Sequence, residues 1–203
     1  MPMRITTPEQ LRELYDQPKE RAQTKKQNAL EAHSKKFIGL SPFLVLSTVS
    51  AIGQLDASPR GGVPGFIKIL DDKRLLIPDS KGNNLLDSIS NILETGRVGI
   101  LFMIPGMDET FRVNGKAHIS TEKVLIDQFD PEKKEIISCI VVQIEEMFFH
   151  CAKAFMLSKL WSSEHKIDRG EMPSMGQMLK DQIKHDGPVE TREEMLKRYS
   201  QDV

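Results

Sequence analysis

The sequence predicts a small antiparallel β-barrel with peripheral helices, a mainly β fold of the α+β class. Three observations carry that expectation. Apolar, β-branched runs recur between positions 42 and 151; turn-like segments link most of them closely; and a clear helix-period segment separates the fourth run from the fifth. Closely linked strands pair antiparallel. About six such strands with few helices suit a small barrel better than a doubly wound sheet.

The elements follow in chain order. Residues 8–36 are polar and helix-like, with Leu11, Leu14 and Tyr15 on one face and a basic stretch at Lys25 and Lys26. A solvated helix packed on the body is the expectation there. Pro42 opens "PFLVLSTVS", a buried strand by its β-branched content. "SAIGQ" turns the chain and "LDASP" returns it. "GFIKIL" alternates, and "DDK" leads into "RLLIPD". In "GNNLLDSISNILET" the period changes, because Leu85, Leu86, Ile89, Ile92 and Leu93 fall at helical spacing, with Asn84 as the expected N-cap. "RVGILFMIP" and "TFRVNGKAHIS" are strands, a short helix follows near 122–129, and "CIVVQIEEMFFHC" is the last long strand. "AKAFMLSKLW" reads as a helix, and the polar remainder holds one or two more. The expected division is an N-terminal helical extension over 1–36, a barrel over 37–162, and a C-terminal helical tail over 163–203 packed on the barrel.

Composition narrows the function classes. The 203-residue chain is 39% hydrophobic and 28% charged, ordinary for a globular protein with a core. Its formal net charge of −1 lacks the basic excess of a general nucleic-acid binder. Residues 1–36 contain no apolar signal region, and no apolar run approaches the roughly 20 residues that cross a bilayer. Cys139 and Cys151 form no CxxC motif and suggest a reducing compartment, so a cytoplasmic protein without membrane attachment is expected. There is no GxGxxG, Walker A, HExxH or GxSxG motif, and histidines 33, 118, 150, 165 and 185 are too scattered to suggest a metal site.

Anion-binding features remain. Arg60 stands among Gly61, Gly62 and Gly65 in "LDASPRGGVPGF", a richer segment than a plain hairpin turn needs. Lys68 sits in the next strand, and "DSKGNN" puts Lys81, Asn83 and Asn84 at a helix mouth. Helix N-termini offer unpaired N–H groups and partial positive charge. Arginine suits bidentate phosphate contact, and lysines add point charge. If strands two to four are neighbours, Arg60, Lys68 and Lys81 converge on one anion. Taken singly each has an ordinary explanation: a turn residue, a solvated strand position, a helix cap.

The segments "FLVLSTVSAIGQLDASPRGGVPGF", "RLLIPDSKGNNLLDSISNIL" and "RVGILFMIPGMDETFRVNGKAHIS" together resemble the FMN-binding split-barrel superfamily of pyridoxamine 5′-phosphate oxidase. They are most similar to a subgroup of FMN-dependent proteins of uncertain substrate, which "HCAKAFMLSKLW" and "PSMGQMLKDQ" also match. The resemblance spans about residues 35–185. It implies a six-stranded antiparallel split β-barrel with FMN as cofactor and the FMN phosphate as the anion. Arg60 and Lys68 would grip that phosphate, with Lys81, Asn83 and Asn84 as helix-mouth donors. Pro78, Asp79 and Ser80 would follow the ribityl chain, and Val63 and Phe66 would lie near the isoalloxazine. Thr110, where relatives have a longer glutamine-type side chain, and Arg112 occupy flavin-contacting positions. Lys159 and Trp161 match a region near the second half of the site, with Leu157 where relatives often carry arginine. The resemblance also implies a homodimer with flavin at its interface. The implied function is an FMN-dependent oxidoreductase acting on an unknown small molecule with an unknown electron donor. A non-catalytic flavin-binding, storage or sensing protein is the alternative, and a heme or deazaflavin binder a third reading.

Overall fold

The computed structural model describes residues 4–130, 135–184 and 186–200, so His185 lies outside the described residues. Seven strands form one sheet: β1 (Phe43–Val49), β2 (Leu55–Gly61), β3 (Lys68–Asp71), β4 (Arg74–Asp79), β5 (Arg97–Met103), β6 (Thr110–Ser120) and β7 (Ser138–His150). Their order is β2-β1-β5-β6-β7-β4-β3, and every pairing is antiparallel. The count is seven and not about six; all seven strand-like segments named from the sequence form strands, the shortest being the four-residue β3, which pairs with β4 across a tight turn.

The pattern of burial shows how the sheet closes. Leu44 and Leu46 of β1, Ile100 and Phe102 of β5, and Phe111 and Val113 of β6 join Ile140 and Val142 of β7 and Leu75 and Ile77 of β4 in one core. These residues alternate with more exposed ones along β1 and β5, so one face turns inward. In β4, Leu75, Leu76 and Ile77 are all buried, because Leu76 belongs to a second cluster with Phe129, Cys139 and Val141 on the other face. Strands β2 and β3 are the two edges in hydrogen-bond order, so they are not neighbours as the convergence argument required. The short β3 pairs with Arg74–Leu76 only, leaving Pro78 and Asp79 of β4 uncovered on that side.

Eight α-helices are described, with two single-turn 3₁₀ helices at Ser163–His165 and Arg169–Glu171. α1 (Pro8–Leu14) and α2 (Glu20–Thr24) bury no residue, and Leu11, Leu14 and Tyr15 are exposed. The expected single N-terminal helix is therefore broken; Pro18 cannot continue a helix and biases its predecessor to extended backbone. α3 (Ala32–Leu40) starts with a capping box, Ser34 N–H donating to Glu31 Oε1 at 2.7 Å and Glu31 N–H to Ser34 Oγ at 2.8 Å. Its Phe37 and Ile38 enter the core, with the Phe37 ring 6.0 Å from Phe111 and 5.6 Å from Phe149. The expected boundary between residues 36 and 37 thus falls inside α3.

α4 (Asp87–Thr95) separates β4 from β5 as expected but begins later than Asn84. Leu86 occupies the N-cap in left-handed backbone, Asn83 Oδ1 accepts from Leu85 N–H at 3.1 Å, and Leu85, Leu86 and Leu93 stay exposed while Ile92 is buried. α5 (Lys123–Ile126) and α6 (Lys153–Ser158) are short, and α7 (Met175–Ile183) and α8 (Arg192–Tyr199) bury nothing.

One close approach locks the long β6–β7 pair. The register shifts between Asn114 and Gly115, leaving Glu145 as the extra residue of β7. A Cβ at Gly115 would collide with the carbonyl oxygen of Gln143, a backbone atom that cannot swing aside. Gly115→Ala is expected to destabilise the fold by about 1–3 kcal/mol, the usual range for overpacking. Urea denaturation checks it, and an unchanged midpoint would show that the strands relax freely at this point.

Candidate functional site

The inward side of β2 is polar. Asp56, Ser58 and Arg60 are half-buried, whereas Ala57, Pro59 and Gly61 face solvent. Arg60 crosses the open side of the sheet. Its Nη1 lies 2.7 Å from Asp79 Oδ1 on the uncovered end of β4, and both side chains are largely shielded at 22% and 15% exposure. This pair joins strands that hydrogen bonding leaves far apart in the sheet order. Arg60 Nε is buried without a hydrogen-bond partner, the one buried side-chain nitrogen or oxygen among the described residues left so. Buried donors are nearly always satisfied, so an orphan of this kind calls for an acceptor. A guanidinium held by a carboxylate at one nitrogen still presents donors to an oxyanion.

The loop after Arg60 is built by its glycines. Phe66 N–H donates to Val63 O at 3.0 Å, and Gly65 has φ +85°, a conformation that side chains disfavour. A Cβ on Gly62 would come within 2.8 Å of Phe66 Cβ, so the ring packs over bare backbone and against the core. Val63 is exposed at the tip. Lys68, half-buried, donates from Nζ to Gly65 O at 3.0 Å, which uses one of its three N–H donors.

The other expected residues divide into separate places. Pro78 and Asp79 end β4 opposite Cys139 and Ser138, and Ser80 follows, half-buried. Lys81, Asn83 and Asn84 lie in an exposed loop, with Asn84 at φ 60°. They do not sit at the helix mouth, because α4 starts at Asp87. That mouth is already acidic: Asp87 is in its first turn, and Ser88 Oγ donates to Asp56 Oδ2 at 2.5 Å.

Thr110 is buried and faces His150 across the β6–β7 pair. Arg112 points away from the core between buried Phe111 and Val113, its Nε donating to Asn114 Oδ1 at 3.3 Å. Lys159 ends α6 in left-handed backbone at φ 47° and pairs with Glu164 at 2.7 Å. Trp161 donates from Nε1 to Met107 O at 2.9 Å and stacks on Phe155 with centroids 5.6 Å apart. The structure therefore brings together Arg60, Asp79 and the loop that holds Lys68, and sets Arg112 and the Lys159–Trp161 segment apart from them.

Sequence reasoning gave Arg112 no companions. The structure places Lys25 and the rings of Phe148 and His150 around it. The basic stretch at Lys25 was visible in the sequence, but its docking on β7 was not. Among the described residues no group of three or more His, Cys, Asp or Glu side chains is arranged to hold a metal ion.

The family model for pyridoxamine 5′-phosphate oxidase matches residues 30–151. No curated protein matches the chain. Among solved structures the fold is similar to HupZ of Group A Streptococcus, at 19% identity and TM-score 0.49, covering 59% of this chain and 93% of that one. An FMN-binding protein from Syntrophomonas wolfei matches at 14% identity and TM-score 0.41, covering 58% and 88%. HutZ, the heme storage protein of Vibrio cholerae, matches at 13% and 0.44, covering 60% and 93%. Likenesses this distant say nothing about what this chain binds.

The Arg60–Asp79 contact has a measurable consequence in the ligand-free protein. Arg60→Ala leaves a shielded carboxylate without its cation and is expected to cost about 1–3 kcal/mol. The double variant Arg60→Ala/Asp79→Asn should recover part of that loss, because no charge is then stranded. Denaturation of the three proteins without added flavin checks it; a wild-type midpoint in Arg60→Ala would show the pair to be structurally idle.

Proposed function

Since the chain belongs to the pyridoxamine 5′-phosphate oxidase family, whose model spans more than half of it, we propose that it is an FMN-dependent oxidoreductase. The observation that carries this reading is the orphaned, buried Nε of Arg60 at the open side of the sheet. The FMN phosphate is the acceptor we assign to it. Lys68, at the start of β3, has two N–H donors beyond its bond to Gly65 O and adds positive charge beside that loop. Phe66 and Val63 give the loop apolar surface beside a backbone that glycine keeps thin. Pro78 and Ser80 flank Asp79 and would line the ribityl chain. Lys81, Asn83 and Asn84 lie in an exposed loop that follows β4, and their side-chain donors would reach an anion there.

Bound FMN would supply hydride and single-electron transfer, and the protein's task is to hold and tune it. Thr110, Lys159 and Trp161 belong to the same proposal as contacts to the ring, the last two offered by a partner chain; Arg112 points away from the core and is not assigned to the flavin. A cytoplasmic location is also part of it, supported by Cys139 and Cys151, which are both free cysteines. No described helix is long and apolar enough to cross a membrane.

The homodimer rests on exposed apolar surface. β5 and β7 bury most of their apolar side chains within the chain. The surplus lies in the segment after β7, where Met156, Leu157, Leu160, Ile167 and Met172 are exposed, Leu157 at 86%. Such a concentration marks an interaction surface. A two-fold pair is the commonest closed assembly.

Two measurements test this function. Fluorescence titration should show FMN bound at least about 10- to 100-fold more tightly than riboflavin, and Arg60→Ala should lower that preference by about 10- to 100-fold, the loss of one charge-assisted contact. Equal affinities in the wild type would sink the phosphate assignment. Anaerobic reduction of the yellow protein by NADH or NADPH, then reoxidation by an added substrate, separates an enzyme from a flavin carrier.

A further measurement concerns assembly. If FMN binds the dimer and not the lone chain, mass action makes FMN tighten the dimer. Sedimentation velocity over a dilution series should show a lower dissociation concentration with FMN than without. A chain that remains monomeric at micromolar concentration while binding FMN one-to-one would refute the shared site.

A further inference from the structure

The chain just before α3 is fastened to the free edge of β7. Beyond Gln143, β7 has no β4 partner, and Gln27 takes its place by exchanging two backbone hydrogen bonds with Met147, at 3.0 and 2.7 Å. Lys25 Nζ then donates to Phe149 O at 2.9 Å. The result gathers cations about one ring. Lys25 and Lys26 ammonium groups lie 4.7 and 5.7 Å from the Phe148 centroid, and the Arg112 guanidinium carbon 5.8 Å away. The His150 ring is 4.7 Å from the same centroid.

The charges there do not balance. Glu146 pairs with Lys26 at 2.7 Å and accepts from Asn114 at 3.1 Å. Arg112 also acts on the Glu146 carboxylate from a greater distance, but neither Lys25 nor Arg112 has an ion pair within 4 Å among the described residues, so three cations face one carboxylate beside Phe148 and His150. Burial first, and then the nearby Lys25 and Arg112, push the His150 imidazole below its ordinary range. Two unpaired cations held beside an aromatic pair by fixed backbone are a recognition arrangement for a negative group.

We propose that Lys25 and Arg112, braced on the Phe148–His150 ring pair, form a binding site for the phosphate or carboxylate group of a small anionic ligand. This site lies on the outward side of β6 and does not share the inward Arg60 seam. It does not require that the chain bind flavin. It also gives residues 25–27, whose own side chains stay exposed, a purpose.

His150 is a built-in reporter, because an anion between Lys25 and Arg112 stabilises its protonated form. The experiment follows the His150 ring resonances by NMR at neutral pH during titration with inorganic phosphate and, separately, acetate. A saturable shift is expected. Lys25→Ala and Arg112→Ala should each weaken it about five- to tenfold, the loss of one exposed charge-assisted contact. Lys36→Ala, an exposed lysine elsewhere, and Arg60→Ala should leave it unchanged. Saturation by phosphate alone assigns a phosphate ligand; saturation by both probes assigns a carboxylate-tolerant site. A shift that never saturates, or that survives both substitutions, overturns the proposal. So does a loss of FMN affinity in Lys25→Ala and Arg112→Ala that parallels the loss of phosphate, since the patch would then belong to the flavin. Wild type that binds phosphate here but no FMN would leave this site standing and remove the flavin reading.

Discussion

The contact on which the architecture turns is Arg60 to Asp79. A seven-stranded sheet whose edges are β2 and β3 must either leave those edges open or curl until they approach. Here the sheet curls, and the short β3 leaves the end of β4 exposed to β2. No backbone ladder spans that seam. A side-chain ion pair does, and it places a cation and a carboxylate where a continuous barrel would have hydrogen-bonded strands. The polar inward face of β2 follows from this, because a seam that admits water or ligand cannot be lined like a core.

Packing elsewhere makes the seam affordable. Phe37, Phe102, Phe111 and Phe149 form a continuous aromatic set between α3, β5, β6 and β7, opposite in sheet order to the open edges. Core burial of this kind supplies the bulk of folding free energy, and a single ion pair is small beside it. The seam is therefore free to serve recognition. The same logic applies to the free half of β7, where one backbone exchange with Gln27 covers the edge and carries Lys25 and Lys26 to the sheet.

Local features were legible in the sequence and nonlocal ones were not. "FLVLSTV" and "RVGILFM" announce strands because alternation and β-branching act within a few residues. α4 was visible by period, yet its start was misread at Asn84; Asn83 and Asn84 instead serve a turn, and Leu86 takes the left-handed cap position. Arg60 stood out by composition. Its partner Asp79 lies 19 residues on and is brought near only by curling of the sheet, a property of strand order that no local window contains. Lys25 and Phe148 are 123 positions apart and meet because β7 outruns β4, again a matter of relative strand length.

Under the flavin reading, charge balance at the seam would give the exposed loop a role. Arg60 and Lys68 are two cations set against one carboxylate, Asp79. A phosphate monoester carries about −1.5 to −2 at neutral pH. Under the flavin reading, those two lysine and arginine charges would be outweighed once the phosphate joins Asp79, and like charges at short range in a shielded place repel strongly. A third cation is needed nearby. Lys81 is two residues past Asp79, exposed and without an ion-pair partner among the described residues, on a loop that α4 does not claim. Its absence from the helix mouth is thus no loss to the site: a lysine on a free loop can close over the anion after it arrives, whereas one fixed at the acidic start of α4 would be spent on Asp56 and Asp87.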